Sequence, residues 1–132
     1  LASTTNRLLY QALKQLDLVS GGGSHVLMGL TGDTTPTNVL AASTTGLFVV
    51  STAVRVTTAG TGGTIDVDVT WTDGTSTTVT AINDFSLAAT GYISATTFVR
   101  LPTSGNISFT ATRTGVTGSP VHSIYVVARQ VA

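Results

Sequence analysis

The chain has no cysteine and no glutamate, a single lysine, three prolines and one tryptophan in 132 residues. Without cysteine there is no disulfide, no thiolate metal ligand and no thiol nucleophile. Charged residues make up only 9% of the sequence. That is about a third of the usual share, and it excludes a long helical bundle, whose exposed faces draw on Glu, Lys, Arg and Gln. Six basic and six acidic residues cancel, with no basic run. The counterion release that drives nucleic-acid binding therefore has no source, and no nucleic-acid partner is expected. Disorder is excluded too, because 42% of residues are hydrophobic and the mean hydropathy is +0.38. Thr34 to Val54 carries no charge, yet it contains Pro36 and is dense in Thr, Ser and Asn. It is too polar for a spanning helix, and no membrane partner is expected. The first residues after Leu1 lack a basic segment followed by an apolar core, so no secretory signal is read there.

What the chain has in abundance is small and β-branched: 27 Thr, 16 Val, 14 Gly and 12 Ser. Stiff β-branched side chains favour the pleated sheet. The length suits one domain with a real core. With so few charges, solubility rests on hydroxyls and on the covering of edges or faces, which points to an obligate oligomer or a docked component.

The N-terminal segment differs from the rest. Leu9, Leu13 and Leu16 stand at i, i+4, i+7 with Leu8 and Ala12 beside them, a helical stripe with Thr4 or Thr5 as its cap. Ser20-Gly21-Gly22-Gly23-Ser24 ends it as a flexible joint. A lone helix this short is marginal in water, so it must lie on its own domain, on a copy of itself or on a partner. The division expected is residues 1–24 as a helical arm with a Gly-rich hinge, and 25–132 as a β-sandwich. Leu8, Leu9, Leu13 and Leu16 are the candidate assembly or anchor residues.

From His25 onward the period is two. His25 to Leu30 reads as a short strand, followed by a turn-rich stretch through Thr31-Gly32-Asp33 and Pro36. Gly46 to Ala59 is a long strand with Phe48, Val50, Thr52, Val54 and Val56 on one face. After Gly60-Thr61-Gly62-Gly63, Ile65, Val67, Val69 and Trp71 alternate with Asp66, Asp68, Thr70 and Thr72, as in a half-buried strand. Thr72-Asp73-Gly74-Thr75 signals a hairpin, and Thr75 to Ala81 returns. A loop is expected near Asn83-Asp84, then strands at Phe85–Ala88, Ala95–Leu101, Asn106–Arg113 and Val121–Val131. About eight short strands with turn signals and no helix between them make a sandwich or barrel.

The residues of catalysis are nearly absent. No Ser stands in a G-x-S-x-G setting, and His25 and His122 lie far apart without an adjacent acid. His122 alternates with Ile124 and Val126, as a packed or interface histidine does. Asp66 and Asp68 project to one face about 7 Å apart, the one carboxylate pair a retaining glycosidase, or a calcium site with Asp73, could use. A solvated strand face is the simpler account. Trp71 could stack on a sugar but continues the inward series Ile65-Val67-Val69 and reads as core. Asn106-Ile107-Ser108 matches a glycosylation sequon and, without a secretory signal, carries no weight. No catalytic, cofactor-binding or metal-ligating residue is assigned, and no cofactor is expected.

The run GLFVVSTAVRVTTAGTGGTIDVDVTWTDG, starting at Gly46, resembles a segment recurrent in tailed-bacteriophage structural proteins. ATTFVRLPTSGNISFTATRTG and SPVHSIYVVARQ resemble the closing strands of the same module. In that group the module is the distal domain of head fibres, tail fibres and decoration proteins, similar to jelly-roll trimers of the tumour-necrosis-factor-like type. The resemblance covers about residues 46–132 and carries no catalytic residue. The fold expected is thus all-β, an antiparallel jelly-roll-like β-sandwich with a short N-terminal helix. The function implied is a non-enzymatic virion structural protein on the particle surface. It would be a capsid decoration or fibre component that assembles as a homotrimer and docks on a major capsid or other virion protein. The alternative is a carbohydrate-binding receptor-recognition module at a fibre tip, with a host-surface glycan as partner and loops around Asp73, Asn83 and Tyr92 as its site.

Overall fold

The computed structural model describes residues 22–41, 45–72, 75–102 and 105–132. The N-terminal stripe of Leu8, Leu9, Leu13 and Leu16 lies outside them, as does Asp73. Eight strands follow one another: β1 (Gly22–Leu30), β2 (Thr34–Ala41), β3 (Gly46–Thr58), β4 (Gly62–Thr72), β5 (Ser76–Ser86), β6 (Gly91–Leu101), β7 (Asn106–Thr117) and β8 (Val121–Gln130). They form two antiparallel four-stranded sheets ordered β1-β8-β3-β6 and β2-β7-β4-β5. This interleaved order, with first and last strands paired in the same sheet, is the jelly roll.

The alternation read from the sequence sets the core. Phe48, Val50, Val54 and Val56 of β3 face Ile65, Val67, Val69 and Trp71 of β4 across the interlayer, all buried. Ile107, Phe109 and Ala111 of β7 and Ile124, Val126 and Ala128 of β8 join it, with Val39, Ile82, Leu87, Val99 and Leu101. Thr52 continues the inward series of β3 and is also fully buried. The uncharged stretch Thr34 to Val54 becomes β2 and most of β3.

Three expectations change. The turn-rich stretch ends early, because Thr34–Ala41 is a strand paired to β7 despite Pro36. It is an edge strand, where a missing N–H costs little, and only Val39 is buried on it. The loop expected near Asn83-Asp84 is a bulge inside β5: Ile65 pairs with Phe85 but Val67 pairs with Ile82, so one extra residue is absorbed. Asp84 takes φ 51° there, a conformation that Asp tolerates. The chain then bends at Leu87, so β5 runs through the positions expected to be loop and stops at Ser86. Finally, Gly22, Gly23 and Ser24 pair with Arg129, Ala128 and Val127 as the start of β1. Gly23 is glycine for a packing reason, since a Cβ there would run into the Val39 carbonyl of β2.

Candidate functional site

The registers of β1, β8, β3 and β6 align cross-strand rows on the outer face of their sheet. One row reads Val26, Tyr125, Ala53, Ser94; the next reads Ser24, Val127, Ser51, Thr96; a third reads Gly22, Arg129, Val49, Phe98. Ser123, Arg55 and Tyr92 form a fourth. Because the alternate residues of these strands pack inward, the rows point away from the core. Phe98 is 67% exposed, Met28 71% and Tyr92 63%, with Val26 and Val127 also open. Five large apolar side chains are thus exposed on one sheet face, among Ser24, Ser51, Ser94 and Thr96, and exposed apolar area of this kind marks an interaction surface.

Charge on this face has one sign. Arg55, Arg100 and Arg129 are exposed on β3, β6 and β8, and no strand of this sheet carries a carboxylate. Asp66 and Asp68 stand on β4 and Asp84 on β5, in the other sheet. Two shallow depressions lie on the arginine face. One of about 770 Å³ is lined by Met28, Arg55, Tyr92 and Tyr125 among others, and one of about 510 Å³ by Val49, Val127 and Arg129 among others.

The opposite sheet presents hydroxyls and amides to solvent. Thr70 and Thr78 share a hydrogen bond of 2.9 Å between their hydroxyls. The Thr72 hydroxyl donates to Asn106 Oδ1 at 2.9 Å, and Asn106 Nδ2 donates to Asn38 Oδ1 at 3.4 Å. Asn106 of the sequon is thus tied into a cross-strand ladder.

The other singled-out residues are structural. Asp66 and Asp68 are both half-buried on β4, and Asp66 Oδ1 accepts the backbone N–H of Asp84 at 2.6 Å. Among the described residues no three His, Asp or Glu gather into a group able to hold a metal ion. Trp71 packs in the core at 9% exposure. The His25 ring tilts against Phe109, with centroids 6.0 Å apart. His122 is fully buried, and burial first and the nearby Arg113 second lower its pKa to about 4. Tyr92 stands on β6 and Asn83 on β5, edge strands of different sheets. The residues the sequence reading passed over are the outward ones, Val26, Tyr125, Val127, Val49 and Phe98. Their signal is that β8 is apolar on both of its faces, which a strand with one solvated face does not need.

No protein-family model matches the chain, and no curated protein matches it at significant similarity. Solved structures match its fold. The globular domain of zebrafish complement 1qA protein superposes with a TM-score of 0.61 at 8% identity, covering 86% of this chain and 98% of that one. The PRD1 vertex protein P5 superposes with a TM-score of 0.50 at 14% identity, covering 86% of this chain and 98% of that one. A chain of the capsid of Helicobacter pylori bacteriophage KHP30 follows at a TM-score of 0.45 and 18% identity, covering 83% and 86%. At these identities the likeness is one of fold: the chain is a jelly roll of the shape shared by the complement-type globular domain and the vertex protein.

Proposed function

We propose that the chain is a non-enzymatic virion structural protein, a jelly-roll domain that assembles as a homotrimer and docks on the particle surface as a capsid decoration or fibre component. The observation that carries this reading is the outer face of the β1-β8-β3-β6 sheet, apolar at Val26, Met28, Tyr92, Phe98 and Val127 and basic at three arginines. Two such faces pressed together about a twofold axis would set arginine against arginine. A threefold ring joins two different surfaces instead. Asp84, exposed on the edge strand β5, offers a carboxylate to that contact. The likeness to the PRD1 vertex protein over nearly its whole length supports the particle context.

Leu8, Leu9, Leu13 and Leu16 supply the anchor to a major capsid or other virion protein, on an arm that precedes the sandwich, whose first strand starts at Gly22. Light scattering across a wide concentration range tests the assembly. A constant mass near 40 kDa, three times 13.4 kDa, is expected, and the Val26→Asp, Val127→Asp double variant should fall to monomer while keeping its fold. A wild-type monomer at every concentration overturns the trimer. The Leu9→Asp, Leu13→Asp variant should lose co-sedimentation with virion particles, and retained binding overturns the anchor.

The second reading is a carbohydrate-recognising module for a host-surface glycan. The depression beside Tyr92, Tyr125 and Arg55 favours it, since exposed aromatic rings beside a cation suit sugar stacking and carboxylate pairing. A glycan array in which no sugar binds wild type above the Tyr92→Ala variant removes it.

A further inference from the structure

One end of the interlayer is polar where the rest is apolar. On the β1-β8-β3-β6 sheet, the inward row there is Leu30, His122, Val56 and Gly91. On the facing sheet it is Arg113, Ile65 and Phe85. The two rows meet, because Phe85 Cζ lies 3.5 Å from where a Gly91 Cβ would stand. Thr34 joins from β2 on the inward side, paired with buried Ala111.

The side-chain atoms gathered there are rich in donors. Arg113 Nη2 donates to the Pro120 carbonyl at 2.9 Å, which fixes the guanidinium at the start of β8. Its Nε and Nη1, both ring nitrogens of His122 and the Thr34 hydroxyl are buried and have no protein partner. The nearest acid, Asp33, is exposed and spends Oδ1 on the Arg113 backbone N–H at 2.8 Å. No salt bridge is formed by this guanidinium among the described residues. Arg113 is partly buried, but its Nε and Nη1 are closed off from water, and buried donors left without a partner carry a desolvation cost.

We propose that this end of the sandwich is a binding site for a small monovalent anion, chloride or bromide, held by Arg113 Nε and Nη1 with the Thr34 hydroxyl and one N–H of His122. The donor set suits it: a guanidinium fork, a hydroxyl and a neutral imidazole offer hydrogens from three strands and two sheets at the same end of the interlayer. A carboxylate ligand is disfavoured, because the site lies between the layers. Water bridging the same groups is the competing occupant. The anion would lock β2, β7 and β8 together and thereby close one end of the sandwich.

The test uses the full chain and halide salts at constant ionic strength, with sodium gluconate making up the balance. Raising chloride or bromide from about 10 to 300 mM should lift the thermal midpoint by roughly 4 °C, as expected for a native-state ligand of millimolar affinity. Thr34→Val should weaken that dependence, and Arg113→Met should abolish it. Arg113→Lys, which keeps the charge but not the fork, should leave only a small part and guards against a Met variant that fails to fold. A bromide-soaked crystal should show an anomalous peak beside Arg113 Nε. A midpoint indifferent to halide, or ordinary water density without an anomalous peak, overturns the proposal.

Discussion

Asp66 accepts the backbone N–H of Asp84 at 2.6 Å, and that bond spans the bulge that carries the one non-glycine residue with positive φ among those described. A carboxylate on β4 thus fixes how β5 absorbs its extra residue. Asp66→Ala should cost about 1 to 3 kcal/mol in chemical denaturation, the range for losing a charge-assisted hydrogen bond. Asp66→Asn should keep part of it. At position 84, Gly should be nearly neutral and Val clearly destabilising, since a β-branched residue resists φ of 51°. Equal stability of Asp84→Gly and Asp84→Val would mean that the strand is not bulged.

His122 makes stability depend on pH in a set direction. Its folded pKa is lowered from 6.5 to about 4, by burial first and by Arg113 second, with Asp33 opposing. The unfolded chain therefore binds the proton more readily, and stability is lost as pH falls from about 6.5 and levels off below about 4. The full loss is about 3.5 kcal/mol, at about 1.4 kcal/mol per pH unit. Urea midpoints between pH 7.5 and 4 should fall accordingly. His122→Leu should flatten that part of the profile. An unchanged profile in the variant would show that His122 is not the group responsible.

Residues on β3 and β4 announced their strands because every second side chain is buried: Phe48, Val50, Val54 and Val56 on one, Ile65, Val67, Val69 and Trp71 on the other. β2 was illegible for the opposite reason. One buried Val39 among Thr, Pro and Asn gives no period, and its strand state comes from pairing with β7, distant in sequence. Asn83-Asp84 has turn chemistry, and only the Asp66 side chain, from another strand, shows that the ladder continues through it. The jelly-roll order was not readable from spacing, because β1 pairs with β8 across almost the whole described chain. The outer face was half legible. β8 is apolar on both faces in the sequence, but assembling Tyr125 and Val127 with Val26, Val49 and Phe98 requires the cross-strand register.

Two glycines of β1 should respond to substitution in different ways. A Cβ at Gly23 meets the Val39 carbonyl, so Gly23→Ala must push β2 away and should cost about 1 to 3 kcal/mol. Gly29 has φ 66° at a break in the β1 register but open space around it. Asn tolerates that conformation, so Gly29→Asn should cost no more than about 0.5 kcal/mol. Thermal melts of the two variants check the contrast. A Gly23→Ala protein as stable as wild type would mean that β1 and β2 do not approach closely at their start.

Phe98 and Phe109 are the same residue type on opposite sides of the same economy of burial. Phe109 is fully buried between the sheets, in contact with the His25 ring, whereas Phe98 is 67% exposed beside Val49. Phe109→Ala should therefore cost about 3 to 5 kcal/mol, from lost transfer energy and the cavity left behind. Phe98→Ser removes no core contact and should change stability measured on dilute protein by less than about 0.5 kcal/mol. Its effect should appear only as the protein concentration rises, where wild type gains stability by mass action from self-association and the variant does not. Melting curves at two concentrations a hundredfold apart separate these cases. If Phe98→Ser shifts the midpoint equally at both, Phe98 serves the fold of one copy, and the outer face of this sheet is not where copies meet.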